Sequence, residues 1–226
     1  MEYKIINLDT WERGKLFRFF IYNLRNVMSM TVDIDVTPLK EFIKAQGLKF
    51  YPTMMWVISK IINSHNEFKY GWDNDGNLIC WENVSPYYAD FHKEDESCVK
   101  LVTEFSDDLK EFHSHYLADK ERYQKLRAFD LKDIPKNTFD VSCLPWVKYK
   151  CFDIHVFDSG TYLAPVVTWG KYETENNRLI MPLSMNIHHA VADGFHLCRF
   201  FNEVQALINN LFTARTKDNS TLKNMG

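Results

Sequence analysis

The chain reads LSMNIHHAVADGFHLCRFFNEVQALINNL from Leu183 to Leu211. Apolar and polar residues alternate as far as His188, which is typical of a half-buried strand, and His189 continues the apolar face. From Leu197 onward the apolar residues recur at helical spacing, and Gly194 separates the two patterns. These residues therefore predict a strand-to-helix junction that carries histidines and an aspartate.

The junction offers a candidate general base. His189 is followed four residues later by Asp193, and a histidine between an apolar wall and a carboxylate can stay neutral near pH 7 and accept a proton. A His-x-x-x-Asp pair also arises by chance, so the spacing alone leaves a structural role open. A metal site is a further interpretation, but neighbouring histidines on a strand point to opposite faces, and a second cluster with zinc spacing is absent from the sequence.

Length and composition predict one globular domain. The chain has 226 residues, of which 46% are hydrophobic, enough for one substantial core. We predict a single domain over residues 1–212, followed by a polar, flexible tail over residues 213–226. The net charge of -3 and the scattered lysines argue against a nucleic-acid partner.

The cysteines and the N-terminal residues predict a cytoplasmic protein. The five cysteines (Cys80, Cys98, Cys143, Cys151 and Cys198) include no Cys-x-x-Cys pair, and we interpret them as buried thiols in a reducing compartment. The N-terminal residues lack the basic start and apolar core of a signal peptide, and no window approaches the roughly 20 apolar residues of a membrane span.

The remaining patterns mix helices and strands. Thr10 is predicted to cap a helix that reaches Leu24, with Arg13 in the first turn, where its charge opposes the helix dipole. Further helices are predicted from Thr37 to Gly47, after Tyr51-Pro52, and after Asp108. His113 and His115 of that last helix are predicted to lie at the surface. Glycine-rich phosphate loops are absent, which disfavours nucleotide hydrolysis.

Strands account for most of the rest of the chain. They are predicted at 87–91, 99–103, 139–143, 151–157, 164–169 and 179–188, and Asp73 to Asn77 is typical of a hairpin turn. This order of strands and helices favours an α/β fold, a two-layer sandwich in which helices pack on a mixed β-sheet.

The junction and several other segments resemble one known family. Residues 188–196 match the His-His-x-x-x-Asp-Gly-Phe-His signature of the chloramphenicol acetyltransferase family, a group of coenzyme A-dependent acyltransferases. The other landmarks, which follow the family order as far as about Leu211, are Trp11-Glu12-Arg13, Phe50-Tyr51-Pro52, Leu144-Pro145-Trp146-Val147 after Ser142, and Ala164-Pro165-Val166-Val167-Thr168 followed by Lys171-Tyr172.

The resemblance implies a mechanism. His189 is expected to take the proton from the 3-hydroxyl of chloramphenicol, which attacks the thioester of acetyl-CoA directly, without an acyl-enzyme. Ser142 is expected to donate a hydrogen bond to the oxyanion of the tetrahedral intermediate. Asp193 is expected to form a salt bridge with Arg13 that fixes the loop bearing the base.

The resemblance also implies ligands and an assembly. Acetyl-CoA is expected as co-substrate, with neither a permanently bound cofactor nor a metal, and the acetylation of the drug is expected to confer antibiotic resistance. A homotrimer with active sites at subunit interfaces is expected. Coenzyme A is assigned to Tyr51, Trp146, Lys171 and Tyr172. The acceptor pocket is assigned to Phe20, Leu24, Met28, Cys98, Phe152, Tyr162, Val166 and Thr168.

Three residues depart from the family pattern and keep alternatives open. Phe20 stands where the family commonly has a tyrosine whose hydroxyl contacts the acceptor, Cys98 lies near an expected phenylalanine, and Ala192 replaces a common cysteine. A CoA-dependent O-acyltransferase for another hydroxyl acceptor is therefore an alternative. The core of a dihydrolipoamide acyltransferase is disfavoured by the missing lipoyl domain, and a non-catalytic amphenicol-binding protein by the intact base and oxyanion donor.

Overall fold

The computed structural model describes residues 2–125, 134–156 and 160–223. The strands are β1 (Tyr3–Ile5), β2 (Val27–Asp35), β3 (Tyr70–Trp72), β4 (Leu78–Trp81), β5 (Ser85–His92), β6 (Ser97–Val102), β7 (Thr138–Leu144), β8 (Val166–Gly170), β9 (Glu173–Glu175) and β10 (Arg178–His188). The helices are α1 (Gly14–Arg18), α2 (Thr37–Gln46), α3 (Phe50–Asn63), α4 (Leu109–Tyr123) and α5 (Gly194–Lys223).

A mixed sheet forms one layer. Its strand order is β2-β10-β8-β7-β5-β6, and β9 pairs with the outer end of β10. The pairs β7–β8 and β5–β7 are parallel, whereas β10 is antiparallel to both of its neighbours. A smaller sheet has the order β1-β4-β3. The predicted α/β sandwich with a mixed sheet is therefore confirmed.

The helices cover the core, and α3 lies deepest. Ten of its residues are buried, including Met54, Met55 and Ile58, and it packs against α2, α4, α5 and β5. Helix α5 buries the stripe formed by Leu197, Phe200 and Val204. Because strand β10 ends at His188 and α5 begins at Gly194, the predicted strand-to-helix junction is confirmed.

Two predictions near the site were wrong. The first helix begins at Gly14 rather than after Thr10, because the Thr10 hydroxyl donates to the Asn7 carbonyl in a turn (3.4 Å), and Arg13 lies at the helix N-cap rather than in its first turn. The helix then continues as a π-helical turn, Phe19–Asn23. The strand predicted for 151–157 is absent over Cys151–Val156, since these residues pair with no described strand; Phe157 lies outside the described residues.

Burial corrects two further predictions. Of the five cysteines only Cys80 is buried, while Cys98, Cys151 and Cys198 are exposed and Cys143 is intermediate. His113 is buried rather than at the surface, and its Nε2 accepts a hydrogen bond from the Lys49 backbone N–H (3.0 Å). The local sequence did not show that α4 turns this histidine toward α3.

Helix α5 extends to Lys223 and so takes in most of the segment 213–226; the flexibility of that segment stays a prediction. Over the described residues, the helices include none with both the length and the apolarity needed to cross a membrane.

Candidate active site

His189 lies in the loop between β10 and α5, with its side chain about a quarter exposed. Its backbone N–H donates to the Asn26 carbonyl, just before β2 (3.0 Å). Its ring Nδ1 lies 2.8 Å from the carbonyl oxygen of Ala192. A carbonyl can only accept, so Nδ1 carries the proton, and in the neutral ring Nε2 has the free lone pair of a base.

The other histidine of the pair has a structural position. His188 ends β10 with its ring buried, and its Nδ1 accepts from the backbone N–H of Ala190 (3.0 Å). The alternation of the strand thus separates the two rings, with only that of His189 partly open to solvent. Of the two, His189 is the candidate base.

Arg13 holds the loop at five points. Its Nη1 and Nη2 donate to the two carboxylate oxygens of Asp193 at 2.5 and 2.7 Å. Its other hydrogen bonds reach backbone carbonyls: Nε donates to Ala190 (2.7 Å), and Nη2 donates to His189 (2.8 Å) and Ala192 (3.1 Å). The planar guanidinium suits this multiple contact. Arg13 therefore fixes the same Ala192 carbonyl that accepts the Nδ1 proton of His189.

Asp193 completes this arrangement. The Arg13 guanidinium holds the pKa of the Asp193 carboxyl below its usual range, against the opposing effect of burial. Its Oδ1 lies 3.3 Å from His189 Nδ1. An ionised carboxylate here favours the Nδ1–H tautomer, and it would stabilise the imidazolium that forms when the base accepts a proton.

The aromatic wall of the base comes from the N-terminal segment. The Phe20 ring stacks on the His189 imidazole, with ring centroids 4.1 Å apart and planes at 26°. Phe20 lies in the π-helical turn, a feature frequent at functional sites, and is buried. The family resemblance placed Phe20 in the acceptor pocket; it did not reveal the direct contact with the base.

The predicted acceptor residues fall in several places. A cleft of about 390 Å³ is lined by Tyr162 and Val166 together with the end of β10. Met28 pairs with Ile187 at this end of the sheet. Leu24 follows the π-helical turn and is 53% exposed, while Cys98 is exposed on β6 opposite Phe91. The chain by itself does not gather all of these residues into one pocket.

Two hydroxyl-bearing residues lie side by side in the sheet. Ser142 on β7 pairs with Thr168 on β8, which in turn pairs with Ser184 on β10. The hydroxyl of Tyr149 donates to the Thr168 carbonyl (2.7 Å), and the Phe152 ring lies 5.5 Å from the Tyr149 ring. Ser142 is only partly buried.

The residues assigned to coenzyme A are of two kinds. Trp146 is 62% exposed and packs edge-to-face on Phe91. Lys171 is exposed, and its backbone N–H donates to the carbonyl of Val147, which places it beside Trp146. Lys40 Nζ lies 5.1 Å from the centre of the Tyr172 ring.

Tyr51, by contrast, is held in the interior of the protein by a hydrogen bond and by contacts with other aromatic rings. Its hydroxyl donates to the Ala89 carbonyl (3.3 Å), and its ring packs on Trp169, Tyr88 and Tyr116. Burial raises the pKa of this hydroxyl well above its usual value. The Tyr51 hydroxyl is therefore already hydrogen-bonded within the protein.

Sequence reasoning assigned no role to His196. Its Nδ1 accepts a hydrogen bond from the backbone N–H of Asp193 (2.8 Å). The only sequence signal for this role was its place at the end of the histidine motif. Among the described residues, no group of three or more histidine, cysteine or acidic side chains could hold a metal ion.

Comparison with known proteins agrees with this geometry. The sequence profile described as chloramphenicol acetyltransferase matches residues 1–205. The chain belongs to this family. A chloramphenicol acetyltransferase from Clostridium butyricum is 38% identical over 208 residues, which cover 92% of this chain and 95% of the relative. Chloramphenicol acetyltransferase 3 from Escherichia coli is 36% identical, with 93% and 99% covered.

Solved structures show the same fold. A chloramphenicol acetyltransferase superposes with a TM-score of 0.82 at 21% identity, covering 92% of this chain and all of that one. The dihydrolipoamide acetyltransferase of Azotobacter vinelandii superposes with a TM-score of 0.67 at 16% identity, covering 93% and 92%. The fold is therefore that of coenzyme A-dependent acyltransferases.

Proposed function

We propose that this chloramphenicol acetyltransferase family member transfers acetyl from acetyl-CoA to the 3-hydroxyl of chloramphenicol and so confers resistance to the antibiotic. The observation that carries the proposal is the proton-bearing Nδ1 of His189 on the Ala192 carbonyl, held by Arg13. It leaves Nε2 as the base. Relatives named chloramphenicol acetyltransferase at 38% and 36% identity support the acceptor.

In the proposed reaction, Nε2 of His189 removes the hydroxyl proton as the acceptor oxygen attacks the thioester carbonyl. A positioned imidazole typically contributes a factor of about 10² to 10⁴. The Ser142 hydroxyl donates to the oxyanion, a contribution of about 3 kcal/mol in comparable sites. When the intermediate collapses, the thiolate of coenzyme A leaves and takes up the proton from His189.

The neighbouring thiol supports direct transfer. Cys143 directly follows Ser142, and cysteine is a residue type that can form acyl-enzymes. Burial raises the pKa of its thiol to about 12, so the thiol stays protonated near pH 7 and is a poor nucleophile. A protonated thiol at this position agrees with direct transfer of the acetyl group to the acceptor hydroxyl, without an acyl-enzyme on Cys143.

For coenzyme A, we propose a surface formed by Trp146, Lys171 and Tyr172, with Tyr51 beneath it. The exposed indole can stack on the adenine or pantetheine arm, and the Lys171 ammonium, whose nearest carboxylate is Glu173 at 3.7 Å, can meet a phosphate. The acceptor pocket would comprise Phe20, Leu24, Met28, Cys98, Phe152, Tyr162, Val166 and Thr168, mostly apolar side chains that suit an aromatic drug.

A homotrimer would complete these pockets. Phe19, Tyr22 and Leu24 expose about half or more of their apolar surface beside the base, and exposed apolar patches commonly mark interaction sites. We propose that a neighbouring subunit covers them and supplies part of the acceptor pocket. Light scattering of the purified protein tests the trimer.

We further propose one acyltransferase domain over residues 1–212 with a flexible tail after it, and a cytoplasmic location.

Thiol release from acetyl-CoA tests the function. The wild-type protein is expected to release thiol rapidly only when chloramphenicol is present. His189→Ala should lose at least about 100-fold in kcat. The matched control is His189→Asn, whose side-chain amide can still donate to the Ala192 carbonyl but cannot act as a base; it should be as inactive as the alanine variant while melting near the wild type. Chloramphenicol-dependent release by either variant at the wild-type rate would contradict the role of His189.

Another hydroxyl acceptor remains the second candidate, because Phe20 has no hydroxyl and the Tyr162 hydroxyl already donates to Asp140. A panel of amphenicols and unrelated alcohols, compared by kcat/KM, separates the two. Fast turnover of another alcohol with slow turnover of chloramphenicol would keep the mechanism and replace the substrate.

A further inference from the structure

His196 holds the main chain of the loop that carries the base. Its Nδ1 accepts from the Asp193 backbone N–H at 2.8 Å, while the Asp193 carbonyl accepts from the backbone N–H groups of His196 and Leu197 at 2.9 and 3.3 Å. A backbone N–H can only donate, so Nδ1 has no proton and the ring is neutral in this arrangement. Both backbone polar groups of Asp193 are thus bound to the first turn of α5.

The hydrogen bond that His196 accepts also affects the orientation of His189, through the peptide bond between Ala192 and Asp193. The Asp193 N–H and the Ala192 carbonyl belong to the same peptide unit, so fixing one fixes the plane of the other. That carbonyl accepts the Nδ1 proton of His189 and also a hydrogen bond from Arg13. His196 therefore binds the N–H of the 192–193 peptide, while the carbonyl of the same peptide orients the His189 ring.

We propose that His196 is a positioning residue for acetyl transfer: its neutral ring locks the 192–193 peptide, and a proton on Nδ1 releases that peptide and misplaces His189. The inference rests on the proposed acetyl transfer. It adds to that reaction a histidine that acts through the main chain and never touches a substrate.

The surroundings of His196 favour the neutral ring. Burial lowers the pKa of His196, Asp193 opposes this effect, and Arg13 and His65 reinforce it. A cleft of about 420 Å³ borders the ring, which is 23% exposed on its side chain, so solvent protons can reach it. The ionisable groups around it are Glu12 and Arg13 before α1, His65 and Glu67 after α3, Tyr70 on β3, and Asp193 and Arg199 at the start of α5.

Most of these neighbours are already paired. Arg13 binds Asp193, Arg199 binds Glu67, and His65 Nε2 lies 2.6 Å from a carboxylate oxygen of Glu203. The Asp193 carboxylate, 3.8 Å from His196 Nδ1, is therefore occupied by Arg13. A protonated His196 would direct an N–H at the Asp193 N–H, and the attraction of the Asp193 carboxylate, which Arg13 already binds, does not restore the lost hydrogen bond.

Two variants distinguish the hydrogen bond that His196 accepts from the volume that its side chain fills. His196→Asn places an amide oxygen near the position of Nδ1, where it can accept from the Asp193 N–H but cannot titrate. His196→Ala removes the acceptor. At pH 7.5 the asparagine variant is expected to keep kcat within about threefold of the wild type, and the alanine variant to lose about 10- to 100-fold in kcat, with the KM for acetyl-CoA nearly unchanged.

The pH dependence of activity provides a second test, because a simple loss of packing around residue 196 would not change the slope of log kcat/KM against pH. Towards acid pH, log kcat/KM of the wild type should fall with the slope of one proton more than that of His196→Asn. The additional proton is the one that the His196 ring takes up when it releases the Asp193 N–H. Equal slopes in the two proteins, or full activity of His196→Ala at pH 7.5, would overturn the proposal.

Failure of the proposed function can be distinguished from failure of the proposed role of His196. If the wild type shows no chloramphenicol-dependent thiol release, the acceptor assignment fails, and melting curves then test His196 directly. Because the fold lowers the pKa of His196, its contribution to stability is present above about pH 6.5 and is lost as pH falls. The melting temperature of the wild type should therefore drop more than that of His196→Asn between pH 7.5 and 5.0; equal drops would overturn the proposal.

Discussion

Arg13 and Asp193 are 180 positions apart in the sequence and are joined by two hydrogen bonds, at 2.5 and 2.7 Å. The same guanidinium donates to three backbone carbonyls of the loop that carries His189. The pair thus connects the residue before α1 to the residue before α5 and sets the geometry of the base.

Substitution within this pair should lower activity without removing a proton carrier. Asp193→Asn is expected to reduce kcat by about 10- to 100-fold by misplacing His189. The cost in stability should be about 1–3 kcal/mol, between the values for exposed and buried pairs, because the Asp193 side chain is 38% exposed. Unchanged kinetics together with an unchanged melting temperature would contradict this prediction.

Arg13→Lys tests shape against charge. Lysine keeps the positive charge beside Asp193 but lacks the planar fork that reaches the carboxylate and the three carbonyls together. We expect a kcat at least about tenfold below that of the wild type, measured by thiol release at saturating acetyl-CoA. Arg18→Lys, at a more exposed ion pair with Asp9, is the control and should stay close to the wild type.

The lowered pKa of Asp193 predicts a pH window for stability. Since Arg13 depresses the folded-state pKa, the contribution of the pair is fully present above the unfolded value of about 3.9 and is lost as pH falls through the folded value. Urea unfolding at pH 7 and at pH 3 should show a smaller stability advantage of the wild type over Asp193→Asn at the lower pH. An advantage that persists undiminished at pH 3 would show that the pKa is not depressed.

The stack of Phe20 on His189 predicts opposite effects for two substitutions. Phe20→Tyr keeps the ring and adds a hydroxyl toward the acceptor, so the KM for chloramphenicol should fall about two- to tenfold, the value of one hydrogen bond. Phe20→Leu removes the aromatic face that packs on the imidazole and should lower kcat. A KM that rises in Phe20→Tyr would place the acceptor away from this ring.

Gly14 packs too closely for a side chain. A Cβ atom there would lie 1.9 Å from the Leu8 carbonyl oxygen, so Gly14→Ala must displace the turn that precedes Arg13. We expect a lower melting temperature and reduced kcat in the same variant. Lys15→Ala, one residue further on at an exposed position, should change neither measurement appreciably.

The sequence determined the elements whose patterns are local. The change of period between His188 and Leu197 fixed the strand-to-helix junction, and the Asp73–Asn77 turn fixed the hairpin of β3 and β4. The segment Cys151–Val156 has the same alternation but forms no strand. A strand depends on hydrogen bonds to a neighbour, and alternation alone cannot say whether a neighbour is present.

Only the tertiary structure decided how the site is held. The histidine motif indicated a base, yet the acceptor of its Nδ1 proton is the backbone carbonyl of Ala192, and backbone carbonyls carry no residue identity that a sequence pattern could single out. The family resemblance predicted the salt bridge between Arg13 and Asp193, but the three backbone carbonyls that Arg13 also binds are evident only from the fold. The periodicity of the sequence determines which face of a helix or strand is buried. Long-range packing determines which hydrogen-bond donor meets which distant acceptor, and the geometry of the candidate active site depends on that packing.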